Sequence, residues 1–278
     1  MKKTSKIVLL LTVAALVLTG CGAKNSKGSN QAAASDRAQS EGKVLRVGVA
    51  AQHKPWCYQE GDEIKGIDID ILNEVCKRMG GYKLELQLAS FEGMFGLLDT
   101  DKVDTVAQQI TVNPEREKKY VFSDIYAYNP YKLTVREDEN DINSIEDLKG
   151  KSFVCGPAGA EYDYIQAYKK ENDPNDEIKV VVVEEGGSDL VNAGKGDAFL
   201  YPVSAFDMMK EESGKKVKMV GDTVYEEHNA YPFRKDVDPE LLESFNKALD
   251  SMKEDGTLTK MYVDIFGYDL SNEGVEIK

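Results

Sequence analysis

Cysteine is scarce in this 278-residue sequence, with four in all. Three of them, Cys57, Cys76 and Cys155, lie in the body of the chain, and an odd number leaves at least one thiol unpaired in a monomer, so no disulfide framework holds the fold. Cys76 falls on an apolar helical face and Cys155 ends an apolar strand, the setting of buried structural thiols; a Cys57–Cys76 bridge stays open on sequence alone. Histidine is rarer still, with only His53 and His228, too few for a His-rich metal site. Positive charge is also short: 35 Lys and Arg stand against 49 Asp and Glu, a net charge of -14. Such a chain repels nucleic acid and anionic membrane surfaces alike. Past the N-terminus no apolar run approaches the ~20 residues that span a bilayer. There is no nucleophile triad or phosphate loop, and Gly156-Pro157-Ala158-Gly159 is too short for a dinucleotide fingerprint, so no cofactor is expected.

What is present begins with an export signal over residues 1–20. Lys2, Lys3 and Lys6 precede the apolar run Ile7 to Leu18, and Leu18-Thr19-Gly20-Cys21 follows. The small residues before Cys21 resemble a bacterial lipoprotein cleavage box, which makes Cys21 the expected lipidated first residue of the exported chain. From Cys21 to Gly42 the sequence is small and polar, with nothing to bury, and reads as a tether. The body that follows exceeds one typical domain of ~100–150 residues, so one core or two lobes are both open on length alone.

From Val44 short apolar runs alternate with helical periods. Strands are expected at 44–50, 84–88 and 103–109, and helices from Ile67, over Phe91–Leu98 and over Pro114–Lys119. Ile67, Ile71, Leu72, Val75, Cys76 and Met79 share one helical face, which Gly80-Gly81 ends. After Tyr131 the series restarts, with strands at 132–136, 152–155, 178–183, 197–201 and 217–220. Helices are expected near Ile145–Leu148, from Ala160, over Ser188–Ala193 and over Ser204–Glu211. Asp238 and Pro239 open a long helix with the stripe Leu241, Leu242, Phe245, Ala248, Leu249 and Met252, and a last helix runs Thr257–Ile265. Alternation of this kind implies mostly parallel α/β sheets.

Gln109 to Asp124, QITVNPEREKKYVFSD, carries the most chemistry. Behind a strand it sets Thr111, Asn113 and Arg116 close together, and a guanidinium fork with a hydroxyl beside it suits a carboxylate. The same residues also read as a surface helix start, with Asn113 as N-cap and Pro114 at the first position. Four segments then fall in a fixed order: GIDIDIL (66–72), DKVDTVAQQITVNPEREKKYVFSD (101–124), IEDLKGKSFVCG (145–156) and DGTLTKMYVDIFG (255–267). Together they resemble the family 3 bacterial solute-binding proteins, the extracellular receptors of polar amino-acid ABC importers. The match spans about Val44 to Gly267 and is most similar to the cystine-binding branch.

That resemblance implies an α/β, two-lobed periplasmic-binding-protein-like (type II) fold whose lobes are joined by two crossing strands. Lobe 1 would take residues 43–131 and 229–270, lobe 2 residues 132–228, and a polar tail 271–278. The crossings would lie near Ala127–Leu133 and His228–Pro232, with Tyr126, Tyr128 and Tyr131 either flanking a hinge or simply packing. The resemblance further implies a cleft in which Arg116 takes the ligand carboxylate, Thr111 adds a hydroxyl, and Gln109 meets the amino group or a polar tail. Phe91 would line the wall. His53 and Trp56 would stand in the first loop, His53 over the ligand or as a plain surface residue. Ala158, Gly159 and Ala160 would offer backbone N–H groups at a helix start. Two departures stand out. Ala50 replaces the acid of basic-amino-acid binders, and Pro202 replaces the acid that normally takes the ligand ammonium, a loss that costs several kcal/mol unless another carboxylate serves. Glu161 is the nearest substitute or an ordinary first-turn acid, with Glu184 and Glu185 as outside choices.

The expected function is therefore a lipid-anchored, monomeric receptor for a small polar amino acid or related carboxylate, of the cystine or neutral polar kind. It would work with permease and ATPase subunits on separate chains. A second reading is an enzyme, because a few proteins of this fold dehydrate cyclohexadienyl substrates. That needs a general acid at the cleft, and only His53 and Glu161, on opposite lobes, are at hand. A third is a ligand sensor acting through a partner chain.

Overall fold

The computed structural model describes residues 42–157 and 159–275; the expected signal segment, Cys21, the tether to residue 41 and Ala158 lie outside the described residues. The chain enters through β1 (Val44–Val49), where Leu45, Val47 and Val49 are fully buried. Three short strands follow, β2 (Gln52–His53), β3 (Cys57–Glu60) and β4 (Glu63–Lys65), and form an antiparallel sheet of their own. Strands of two to four residues are too short to show a hydrophobic period, which is why this sheet is absent from the sequence expectation. Next come α1 (Ile67–Arg78), β5 (Lys83–Leu88), α2 (Phe91–Asp99), β6 (Thr105–Ala107), α3 (Pro114–Lys119) and β7 (Tyr120–Phe122).

The long strand β8 (Ala127–Arg136) leads to β9 (Ser152–Cys155), α4 (Ala160–Asn172), β10 (Lys179–Val182) and α5 (Gly187–Asn192). Then β11 (Ala198–Pro202), α6 (Val203–Ser213) and the long β12 (Val217–Asn229) complete a second α/β set. The chain ends with β13 (Pro232–Arg234), α7 (Pro239–Glu254) and α8 (Thr257–Phe266). Ile145–Leu148, expected as a helix, is a single 3-10 turn whose Ser144 and Asp147 form a capping box. Four residues cannot propagate an α-helix.

Two five-stranded sheets result, ordered β5-β1-β6-β13-β7 and β10-β9-β11-β8-β12. In each, the central strands are parallel, as βαβ succession requires, and the returning strands are antiparallel. Each sheet has its own core. The first gathers Trp56, Tyr126, Tyr231, Tyr262 and Phe245 beneath α1, α7 and α8, the second Leu133, Val135, Phe153, Ile165 and Leu200. This is the two-lobed α/β architecture expected from the resemblance.

Strands β8 and β12 run from one core to the other, paired antiparallel from Val217–Arg136 to Asn229–Ala127. Both extend well past the expected 132–136 and 217–220. Their crossing portions carry Tyr, Pro, Asn, Glu and His, which hide the apolar alternation of a strand. On α7 the buried residues are Phe245, Ala248, Leu249 and Met252, with Leu241 and Leu242 only partly covered, and Asp238 accepts from Glu240 N–H at 3.0 Å to cap the helix. Cys57, Cys76 and Cys155 are all free and buried, so the open Cys57–Cys76 pairing is not made. Burial pushes the Cys57 thiol up to about 12 and Cys76 up to about 11, which leaves both inert.

Candidate functional site

A cleft of about 670 Å³ opens between the segment after β6 and two elements of the second sheet, the start of α4 and the crossing part of β12. Thr111, Asn113 and Arg116 line one side; Gly159, Ala160, Asp163, Tyr225, Glu227 and His228 line the other.

The helix start expected over residues 113–116 is formed. Asn113 caps α3 by accepting from Arg116 N–H at 2.9 Å, with Pro114 at the first helical position. That cap turns the Arg116 side chain back, so that Nη1 donates to the Thr111 carbonyl at 2.7 Å. The guanidinium carbon lies 5.8 Å from the Phe91 ring centroid and 5.5 Å from that of Phe95, in cation–π range. Among the described residues, no carboxylate pairs with Arg116 directly. Burial lowers its pKa, opposed by Glu227 and Tyr120, and a guanidinium stays charged regardless. A partly buried fork without an ion-pair partner, facing a cleft, is suited to an incoming anion.

Thr111 joins the two sides. It bridges to Asn229 of β12, Val112 N–H donates to the His228 carbonyl at 2.8 Å, and Thr111 Oγ1 donates to Glu227 Oε2 at 3.1 Å. Glu227 is the principal residue that sequence reasoning missed. Burial raises its pKa and Glu161 raises it further, while hydroxyls of Thr111 and Tyr131 and the charge of Arg116 pull it down. Run together as Glu226-Glu227-His228, these residues look like a solvated turn. The signal was the period of two, because Tyr225, Glu227 and Asn229 share one face of β12.

The other expected residues divide. Gly159 and Ala160 reach the cleft, Gly159 with φ of 110°, where a side chain would strain the backbone; Ala158 lies outside the described residues. Phe91 contributes by flooring Arg116. Gln109 has φ of 49° and its N–H is taken by Asp68 Oδ2 at 2.7 Å, while its Oε1 meets His53 Nε2 at 2.8 Å. Gln109 and His53 are thus paired with each other off the cleft lining, while the buried Gln109 Nε2 finds no hydrogen-bond partner among the described residues. The expectation for Trp56 is corrected. Its ring is fully buried in the first core, 5.4 Å from Phe266 and 6.3 Å from Tyr262, because so large an apolar surface is worth more in a core than on a wet wall. Glu161 stands on the first turn of α4 just off the lining, yet its charge acts on Glu227, Tyr131 and Tyr225. Glu184 and Glu185 are exposed beyond β10, and Pro202 precedes α6 outside the cleft. Ala50 is buried beside Met94 and Ile110 in a small core, so it presents no wall to a ligand.

With this geometry in view, residues 45–268 match the sequence signature of the bacterial extracellular solute-binding proteins, family 3. The chain belongs to that family. Among its relatives, the arginine-binding extracellular protein ArtP of Bacillus subtilis is 35% identical over 264 residues, covering 91% of this chain and 95% of ArtP. The L-cystine-binding protein TcyJ of the same organism is 28% identical over 280 residues, covering 99% of this chain and 100% of TcyJ. The crystal structure of Bacillus subtilis ytmK superposes with a TM-score of 0.74 at 26% identity, covering 82% of this chain and 99% of ytmK. Within family 3, then, this member has Arg116 at the cleft without a carboxylate partner among the described residues, and Pro202 where the resemblance leads one to expect an acid.

Proposed function

We propose that this family 3 protein is the receptor of an ABC importer and takes a small amino acid into the cleft by its carboxylate, with Arg116 as the anchor. The observation that carries this reading is the Arg116 fork, stacked over Phe91 and Phe95 and without an ion-pair partner among the described residues. Gly159 and Ala160, opening α4 across the cleft, add backbone donors on the far side. Relatives named for L-cystine and for arginine bracket the ligand class as amino acids. The lipid on Cys21 would tether the monomer to the outer face of the membrane, and permease and ATPase subunits on separate chains would complete the importer.

The dehydratase reading requires His53 and Glu161 to face one substrate. His53 is instead committed to Gln109, and neither residue lines the cleft. Calorimetry tests the receptor reading. Replacing Arg116 with Ala is expected to lower affinity for the bound amino acid by at least ~100-fold, the cost of leaving a desolvated carboxylate unpaired. The apo melting temperature should move by only about 2–3 °C, since no ion pair is lost. Unchanged affinity would remove Arg116 from the site.

A further inference from the structure

Pro202 raises a question that the cleft itself answers. If a zwitterionic ligand gives its carboxylate to Arg116, its ammonium group needs a counter-charge, because a buried cation without one costs several kcal/mol. Pro202 ends β11 outside the cleft and has no acid to offer. Glu227 lies on the cleft wall, on a different strand.

Its position relative to Arg116 is set by a single residue. The Thr111 carbonyl accepts from Arg116 Nη1 at 2.7 Å, while the Thr111 hydroxyl donates to Glu227 Oε2 at 3.1 Å. A cation and a carboxylate thus stand on either side of one threonine without an ion pair between them. The two poles of an α-amino acid, separated only by its Cα, match that arrangement with signs reversed. Tyr225 lines the same wall, stacked on Tyr131 with ring centroids 4.6 Å apart, and aromatic faces tolerate an ammonium group well.

We propose that Glu227 of β12, and not a residue at the end of β11, receives the ligand's ammonium group, and that binding expels a proton from Glu227. This rests on the amino-acid reading above. The groups facing Glu227 are Arg116 on α3, Glu161 on α4, Tyr131 on β8, Tyr225 on β12 and the Thr111 hydroxyl. Arginine does not titrate in the working range, and both tyrosines are pushed above their ordinary value by burial, which leaves the Glu227 carboxyl, raised by its burial, as the source of the proton. Burial raises the pKa of Glu227, which favours its neutral form more than that of an exposed glutamate. The ligand arrives already carrying its ammonium charge, the carboxyl O–H bond breaks, and the proton leaves to solvent. Affinity should accordingly rise with pH through the titration of Glu227, until the ligand's own amine begins to deprotonate.

The test starts from a thermal-shift panel of the twenty common amino acids and L-cystine on the wild-type protein. Those that stabilise are carried into calorimetry at pH 5.5 and 7.0, each in two buffers of different ionisation enthalpy, beside their N-acetyl derivatives. Glu227→Gln, which keeps a carbonyl acceptor for Thr111, is expected to lose at least ~30-fold in affinity for the free amino acid and to abolish proton release. It should also narrow the gap between the free amino acid and its N-acetyl form. Glu227→Asp should retain part of both effects. If wild type binds and Glu227→Gln binds equally well, or releases the same proton, the assignment to Glu227 is overturned while the receptor reading stands. If no amino acid in the panel binds wild type, both fall together.

Discussion

At the scale of single residues, Asp68 shows how a carboxylate can serve a site without touching it. It is fully buried in α1, where Tyr126 Oη donates to it at 2.6 Å and Gln109 N–H at 2.7 Å. Burial outweighs both bonds and raises its pKa to about 7. Since Gln109 holds a left-handed φ of 49°, the Asp68 bond helps to keep the backbone leading into Thr111 in that shape. An aspartate in the unfolded chain titrates near ~3.9. Between the two values the folded chain binds more protons than the unfolded one. The Asp68 contribution to stability is therefore complete below about pH 4, is lost as pH rises toward about 7, and is flat above. Asp68→Asn should remove this slope. Its own cost is expected at every pH, because the new amide N–H faces a donor. The unfolding free energy difference between wild type and variant, from urea titrations at pH 4, 5.5 and 7, should shrink with rising pH by on the order of 3 kcal/mol. A difference constant across that range would show that Asp68 is ionised throughout. In the sequence Asp68 stands beside Ile67 at the start of a helix, and nothing local reveals that Tyr126, 58 positions away, closes over it.

At the scale of elements, caps and glycines decide where strands and helices meet. The sequence pattern was sufficient for the helices with strong periods, and α3 and its Asn113 cap fall where residues 113–119 place them. It failed for the β2–β4 sheet, which depends on a tight junction at Gly66. Gly66 has φ of 122°, and an added Cβ would lie 2.2 Å from the Trp56 carbonyl oxygen and 2.7 Å from that of Pro55. Those two carbonyls accept from the first N–H groups of α1, Pro55 from Ile67 and Trp56 from Asp68, so neither can retreat without unbinding the helix start. Gly66→Ala is thus expected to cost on the order of 3 kcal/mol, read as a lower urea midpoint at unchanged m-value. An unaltered midpoint would mean that the small sheet moves freely against α1. Milder effects belong to the Ser90 cap of α2, whose hydroxyl accepts from Gly93 N–H at 3.1 Å. Ser90→Ala should cost about 1 kcal/mol and, by loosening Phe91 and Phe95 under Arg116, weaken ligand binding slightly in the same calorimetric assay.

At the scale of the whole molecule, two separately packed sheets joined by β8 and β12 permit motion that one continuous core would forbid. The stacked pairs Tyr126–Tyr231 and Tyr131–Tyr225 lie at either end of the crossing segment, with centroids 4.4 Å and 4.6 Å apart. They stiffen its ends and leave the cleft between. An amino acid held by Arg116 and, as proposed, also by the helix start at Gly159 and Ala160 would make its full set of contacts only when the two sides approach, which would bias the molecule toward a closed form. Ligand at 100 times its Kd is expected to add about 2.7 kcal/mol of stability and to reduce the radius of gyration in solution scattering. The Arg116→Ala protein, given the same concentration, should gain no more than about 0.4 kcal/mol and contract correspondingly less. Stabilisation without contraction would point to a cleft that binds without closing.

Periodicity was enough to determine the α/β class and to set Arg116 beside Thr111, because these rest on contacts between residues near in sequence, while the two-lobed fold was implied by the resemblance that the order of four segments carries. Helix faces, caps and βα succession are written locally. What the tertiary structure alone decided were the partners brought together across the chain: Glu227 against Thr111, 116 positions apart, Asp68 under Tyr126, and Trp56 withdrawn into the first core. Charge and burial at those positions depend on which surfaces close over them, and a carboxylate reads the same in a sequence whether water or a second strand will face it.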